Sequence, residues 1–344
     1  MKKISLTFVA LIIGTCSSVL VSQSSKIKPE WQVELSPFFD NTEFARSRVQ
    51  HDQTMAAVRL SPEIGLSFDT VHRVRVGISL LQEFGSTQAV DNYTPIAYYE
   101  YNKAPYRFLM GAFPRTERLK EYPRAFFQDS VLWYRPVLTG FLWEVYNDLS
   151  YFNLWLDWTG RQTETQREAF FAGWSGRYQK NIFFAQLFGY MFHYAKTKNP
   201  PVDQFIHDNG LAQLSVGLDF KGRTPLTELK FSAGYLGGLE DNRGTTSWLR
   251  HDAFVADLQL EYRRLGLQNS FYAGDPQMYF YPAEGNHLYW GDPFYRSDIY
   301  NRSDIYLKLI DSPRVKTKLQ CSLHATEDGL FFEQGLFVQV KIGN

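Results

Sequence analysis

Between Val58 and Phe68 the even positions are Val58, Leu60, Pro62, Ile64, Leu66 and Phe68, and the odd ones are Arg59, Ser61, Glu63, Gly65 and Ser67. After the short link Asp69-Thr70-Val71-His72 the pattern resumes, with Val74, Val76, Ile78 and Leu80 against Arg73, Arg75, Gly77 and Ser79. A period of two predicts a strand, and two such runs joined by a few residues predict a hairpin. Each strand carries charge on one face only. The core of a β-sandwich does not hold such charges unpaired, whereas a wet interior or a solvent face does.

The same alternation predicts strands over Trp31–Phe39, Thr94–Asn102, Tyr106–Phe113, Val137–Tyr146, Tyr151–Trp158, Glu168–Tyr178 and Ile182–Tyr194. It continues over Leu211–Phe220, Leu229–Leu236, Phe254–Tyr262, Leu267–Ala273, Asp304–Ile310, Val315–Ala325 and Phe332–Ile342. That makes about 16 strands, roughly 14 to 18 when the blurred segments Val137–Tyr146 and Ile182–Tyr194 are allowed for. Connections alternate short and long, with the short turns on the side of both termini. This organisation predicts an all-β fold, a closed antiparallel transmembrane β-barrel with short periplasmic turns and long extracellular loops. Pairing of the last strand with the first then removes the sheet edge. The string Gly274-Asp275-Pro276 recurs as Gly291-Asp292-Pro293, which reads as two Asp-Pro turns in one loop.

Composition adds the setting. Met1-Lys2-Lys3, the apolar run Leu6–Ile13 and the small or polar residues from Gly14 to Ser25 form a secretory signal, with cleavage expected after Ser22. The chain then divides into a signal peptide, 1–22, and one barrel domain, 23–344. Ile13-Gly14-Thr15-Cys16 is the rival lipoprotein reading, with Thr15 unfavourable before the cysteine. No later apolar run reaches the about 18 residues of a spanning helix. The 36 basic and 36 acidic residues balance, which gives no case for nucleic-acid binding. Cys321 alone follows the signal, so no internal disulfide is available. An aromatic content of 17% suits belts at membrane interfaces.

Three strings resemble outer-membrane β-barrels of the porin-like kind found in Bacteroidota. They are Val58-Arg59-Leu60-Ser61-Pro62-Glu63-Ile64-Gly65-Leu66, Met110-Gly111-Ala112-Phe113-Pro114-Arg115 and Gly291-Asp292-Pro293-Phe294-Tyr295-Arg296. The resemblance extends as a pattern over the chain after the signal. It implies the barrel and the bacterial outer membrane, without a substrate. Many such barrels end in an aromatic residue, whereas this sequence closes on Ile342-Gly343-Asn344.

With the apolar faces toward lipid, the lumen is expected to be lined by Arg59, Glu63, Arg73, Arg75, Asp157, Arg167, Arg177, Asp219, Lys230, Asp257, Glu261, Lys316 and Lys318. Mixed charges facing water would set a transverse field on a path for small solutes. The competing reading has them pair across strands and fill the interior. The third long connection, Pro114–Pro136, carries Arg115, Glu117, Arg118, Lys120, Glu121, Arg124 and Asp129. By the porin resemblance it is the candidate constriction, with an exposed surface loop as the alternative. In the seventh loop Tyr279, Tyr281, Tyr289, Trp290 and Tyr295 offer flat faces to a sugar, or pack a loop lid.

For catalysis, His193 and His324 are the bases to examine, with Ser175 or Ser322 as nucleophile. No Gly-x-Ser-x-Gly elbow ties them together, so no enzyme is expected. The scattered histidines predict no metal centre and no cofactor. The expected function is an outer-membrane porin-like channel for passive or substrate-selective diffusion. Its partners would be outer-membrane lipid and a small hydrophilic solute, a saccharide among the candidates, and an oligomer is compatible with this. The alternatives are a non-conducting structural or glycan-binding barrel and an outer-membrane lipid hydrolase.

Overall fold

The structure, a computed structural model, describes residues 27–344. The signal peptide, its cleavage site and Cys16 lie outside the described residues. The first eight strands are β1 (Lys28–Glu43), β2 (Gln53–Phe68), β3 (His72–Glu83), β4 (Asn92–Lys103), β5 (Tyr106–Pro114), β6 (Val137–Tyr146), β7 (Tyr151–Gly160) and β8 (Ala169–Lys180). The second eight are β9 (Phe183–Tyr194), β10 (His207–Asp219), β11 (Glu228–Asn242), β12 (Leu249–Tyr262), β13 (Leu265–Gly274), β14 (Ile299–Asp311), β15 (Val315–Thr326) and β16 (Gly329–Gly343). Each pairs antiparallel with its sequence neighbours, and β1 closes on β16, with Phe39 opposite Leu336. The fold expected from the alternation is the one observed, and the ring leaves no edge.

The two faces of the opening hairpin separate as the pattern requires. Ile64, Leu66, Val74 and Val76 are exposed on the outer wall, while Arg59, Glu63 and Arg75 are buried inside. In hydrocarbon every backbone polar group must be paired, so strands cross only as a closed ring with apolar side chains outward. No helix among the described residues is long and apolar enough to cross a membrane. Exposed Trp31, Tyr106, Trp143, Phe152, Tyr178 and Tyr262 stand near the short-turn rim, and Phe39, Tyr93, Trp158 and Phe332 near the other. These are the aromatic girdles of the two membrane interfaces.

The connections depart from strict sorting at two places. β15 and β16 are joined by Glu327 and Asp328 alone, on the long-loop rim, and residues 220–227 make a longer link on the short-turn rim. Several strands also begin before their predicted start, at Gln53, His207 and Ile299. Polar side chains face outward where a strand leaves hydrocarbon for headgroups, which ends the alternation before the strand itself ends.

The lumen is filled on the long-loop side. The connection 115–136, with its short helix α1 (Asp129–Tyr134), and the connection 275–298 fold inward. They share one apolar core with wall residues Leu109, Phe113, Trp155, Phe171, Tyr190 and Phe192. Gly173 makes room for this: a Cβ there would lie 2.1 Å from the Trp155 ring. Trp155 Nε1 donates to the Tyr122 hydroxyl at 2.7 Å, and that hydroxyl donates to the Trp174 carbonyl at 2.7 Å. Gly173→Leu is expected to displace Trp155, at an overpacking cost of roughly 1–3 kcal/mol. The predicted readout is new protease cleavage within residues 115–136 of an otherwise folded barrel.

Candidate functional site

Twelve of the thirteen expected lumen residues occupy inward strand positions. Many are paired. Glu30 accepts from Arg75 at 2.8 Å and lies 3.4 Å from Arg73, Arg177 meets Asp219 at 2.6 Å, and Lys308 meets Glu261 at 2.8 Å. Glu63 accepts from the Tyr98 hydroxyl at 3.3 Å, and Arg59 donates to Ser79 at 2.8 Å and to the Trp133 carbonyl. Asp257 accepts from Ser270, while Lys230 and Lys318 lie over the rings of Phe184 and Phe337. Lys316 sits at the rim opposite Asp311. Arg167 is the correction. It precedes β8, stacks on Tyr194 with 3.7 Å to the centroid and approaches Glu284 at 3.9 Å, so it belongs to the mouth.

The third loop crosses the lumen. Arg115 pairs with Asp157 on β7, Arg118 with Glu100 on β4 at 3.5 Å, and Lys120 with Glu144 on β6 at 3.6 Å. On the far wall Glu117 pairs with Lys341 and Arg124 with Asp304 at 2.8 Å, while Glu121 faces the open space below. The alternative of an exposed surface loop is therefore excluded. Opposite charges wait on both walls, and burial of Phe126 and Phe127 draws the segment inward.

Loops three and seven are latched together. Gln128 N donates to the Trp290 carbonyl at 2.8 Å, and Asp292 N donates to the Arg124 carbonyl at 2.8 Å. Between these bonds Gly291 packs so closely that a Cβ would lie 2.1 Å from the Ala125 carbonyl oxygen. Arg302 on β14 gathers Asp304 at 2.7 Å, Asp129 at 2.9 Å, Glu333 at 3.3 Å and Asp292 at 3.8 Å. Tyr289, Trp290 and Tyr295 are buried in this plug, so they pack a lid and offer no face to a sugar; Tyr279 is exposed.

Burial raises the Asp129 carboxyl, but Arg124 and Arg302 outweigh it and hold the group below the usual carboxylate range. Ionised Asp129 thus favours the docked loop above the pKa of an undocked carboxylate, about 4. That gain is lost as pH falls through the lower docked value. Asp292 is shifted the other way by burial. The test therefore compares wild type with Asp129→Asn: hydrogen exchange of the loop amides, corrected for the intrinsic rate at each pH, should rise in acid for wild type and be raised already at neutral pH in the variant.

His324 is sealed inside. One ring nitrogen meets the Tyr300 hydroxyl at 2.8 Å and the other meets Glu333 at 3.0 Å, beneath Phe294. With both nitrogens engaged and no lipid access, it has no free site for a substrate proton. Ser322 bonds to Arg302 and Gln320, and Ser175 to Asn153, so neither serine contacts a histidine.

His193 differs. It is outward on β9, near the long-loop rim, and its Nδ1 lies 2.7 Å from Asp208. Arg243 Nε holds the other oxygen of Asp208 at 2.5 Å. Register makes this a row across the outer wall: Trp158 opposite Phe170, Phe170 opposite His193, His193 opposite Asp208. Trp158 and Phe170 stack at 5.1 Å, and Phe170 meets the His193 ring at 5.2 Å. The contact joins residues from two strands separated by a long loop, so no linear motif could display it. Among the described residues no group of three or more His, Cys, Asp or Glu is placed to hold a metal ion.

A closed sixteen-strand ring with outward apolar walls and a loop folded into its lumen is an outer-membrane β-barrel. Solved structures of the same fold include a loop L8 deletion mutant of OmpT, an outer membrane protein of Vibrio cholerae, at 8% identity and TM-score 0.55, covering 93% of this chain and 100% of that one. An anion-selective porin from Comamonas acidovorans matches at 10% identity and TM-score 0.53, covering 93% and 100%. OmpF of Salmonella typhi, in complex with daunomycin, matches at 10% and 0.52, covering 92% and 98%. No curated protein matches the sequence. The chain belongs to the lipid A 3'-O-deacylase-type family, whose model matches residues 22–341. That membership overturns the expectation that the chain is not an enzyme, which rested on the absence of a nucleophile elbow.

Proposed function

We propose that this outer-membrane barrel hydrolyses acyl esters of a lipid A-like glycolipid at its outer wall, with His193 as general base. The His193–Asp208 contact on an outward row beside Trp158 and Phe170 carries the reading; the family description supplies the substrate class. The aromatic row sits at the interface, the depth at which the acyl esters of a lipid lie. Asp208, fixed by Arg243, orients the imidazole and leaves Nε2 toward the lipid. Nε2 takes a proton from water as the water oxygen attacks the ester carbonyl. The carbon–oxygen bond to the sugar then breaks, and the departing alkoxide receives the proton back from His193. The products are a free fatty acid and a hydroxyl on the sugar. Residues 1–22 act in this reading as the export signal. The test is fatty-acid release from lipopolysaccharide in micelles by the folded barrel, with His193→Gln as the inactive comparison.

A second reading, diffusion of small hydrophilic solutes through the lumen, is favoured by the chamber of about 930 Å³ beneath the third loop. It requires the plug to move, since the long-loop half is packed. Closed conductance in planar bilayers that no solute or voltage opens would end it.

A further inference from the structure

We propose that the chamber beneath the third loop binds a neutral polyhydroxylated solute of di- or trisaccharide size, entering from the periplasm. The proposal is independent of the outer-wall hydrolase and gives a solute class to the second reading. At about 930 Å³ the chamber lies within the roughly 300–1,000 Å³ of small-molecule sites. The plug seals it above, so the short-turn rim is its entrance.

Six side-chain amides line it; Asn269 and Gln339 are bonded to neighbouring wall groups, which leaves Gln128 from the loop, Gln186 on β9, Gln259 on β12 and Gln268 on β13. The strand-borne ones sit at one height, each three residues from the short-turn end of its strand. Lys230 is directly opposite Gln259, and Gln259 directly opposite Gln268, so three adjacent strands present an unbroken polar row. Among the described residues these four amides have no side-chain hydrogen-bond partner. Nearby wall groups such as Arg177–Asp219 and Lys308–Glu261 are paired.

An amide both donates and accepts, as a sugar hydroxyl does, whereas an ammonium only donates and a carboxylate only accepts. The charges left without an ion pair in the chamber are two of each sign, Lys230 and Lys318 against Glu121 and Asp257. The two ammoniums also lie over ring faces, at 5.1 and 5.2 Å from the centroids of Phe184 and Phe337. A solute of net charge therefore finds no surplus of the opposite sign. Neutral hydroxyls find donors and acceptors in the same side chains.

The test is calorimetric titration of the folded barrel in lipid nanodiscs with maltotriose, the anion galacturonate and the cation glucosamine as probes. Maltotriose should bind saturably, and Gln259→Ala with Gln268→Ala should weaken it at least tenfold. Gln128→Ala, a change in the loop, approaches the same site from the roof should the double variant fail to fold. No maltotriose binding, binding unchanged in both variants, or preference for either charged probe overturns the proposal. None of these outcomes touches fatty-acid release, which reports on the outer wall alone.

Discussion

Arg302→Leu is expected to unseat the plug and open the lumen. The guanidinium holds carboxylates from four segments, Asp129 of the third loop, Asp292 of the seventh, Asp304 of its own strand and Glu333 of β16. Removing it leaves these groups facing one another, with Arg124 alone as a counter-charge for Asp129 and Asp304. Breaking a buried ion pair from one side costs roughly 3–5 kcal/mol. The cost falls on loop docking, because the strand ladders hold the ring. The ratio of closed to open plug should fall by roughly two to four powers of ten, at 1.4 kcal/mol per decade. A ring of this strand number leaves an aqueous channel once emptied. Wild type should be silent in planar bilayers where the variant conducts, and Arg302→Lys should fall between, since it keeps the charge and loses the planar fork. A silent Arg302→Leu variant whose loop resists protease would contradict the latch.

The second large effect is on chemistry. His193→Gln should lower fatty-acid release by roughly 10²–10⁴-fold, the range for loss of a general base. Asp208→Asn should produce a loss of the same order, because the amide can present its N–H to Nδ1 and turn the imidazole to the wrong tautomer. Neither substitution lies in the lumen, so conductance and loop protection should stay as in wild type. Chemical rescue separates the proposed role from a structural one: in His193→Ala, added imidazole should restore part of the fatty-acid release, which a merely structural role would not allow. Equal activity in His193→Gln and wild type would remove His193 from the reaction.

Strand number, closure and the two faces of the wall were legible because the bilayer imposes a period of two on each strand. The hairpin from Gln53 to Glu83 shows it: Ile64 and Val74 face out, Arg59 and Arg75 in. Loop burial was legible only by analogy. The charges of the third loop marked it as a candidate constriction, but only the wall shows that Arg118 has Glu100 and Lys120 has Glu144 to meet. The second Gly-Asp-Pro string read as a plain turn. Its glycine is where two loops touch, and its aspartate joins the Arg302 cluster, both consequences of packing between segments far apart in sequence. The His193–Asp208 pair stayed hidden for the same reason. His193 was legible as a candidate base, but its acid partner Asp208 is found only once the register of the neighbouring strand is known.

The most direct test of the central claim is mass spectrometry of lipopolysaccharide after incubation with the purified, folded barrel. The account predicts a product lighter by one acyl chain, a matching free fatty acid, and neither with His193→Gln. Lipopolysaccharide of unchanged mass after incubation with folded wild-type protein would contradict it.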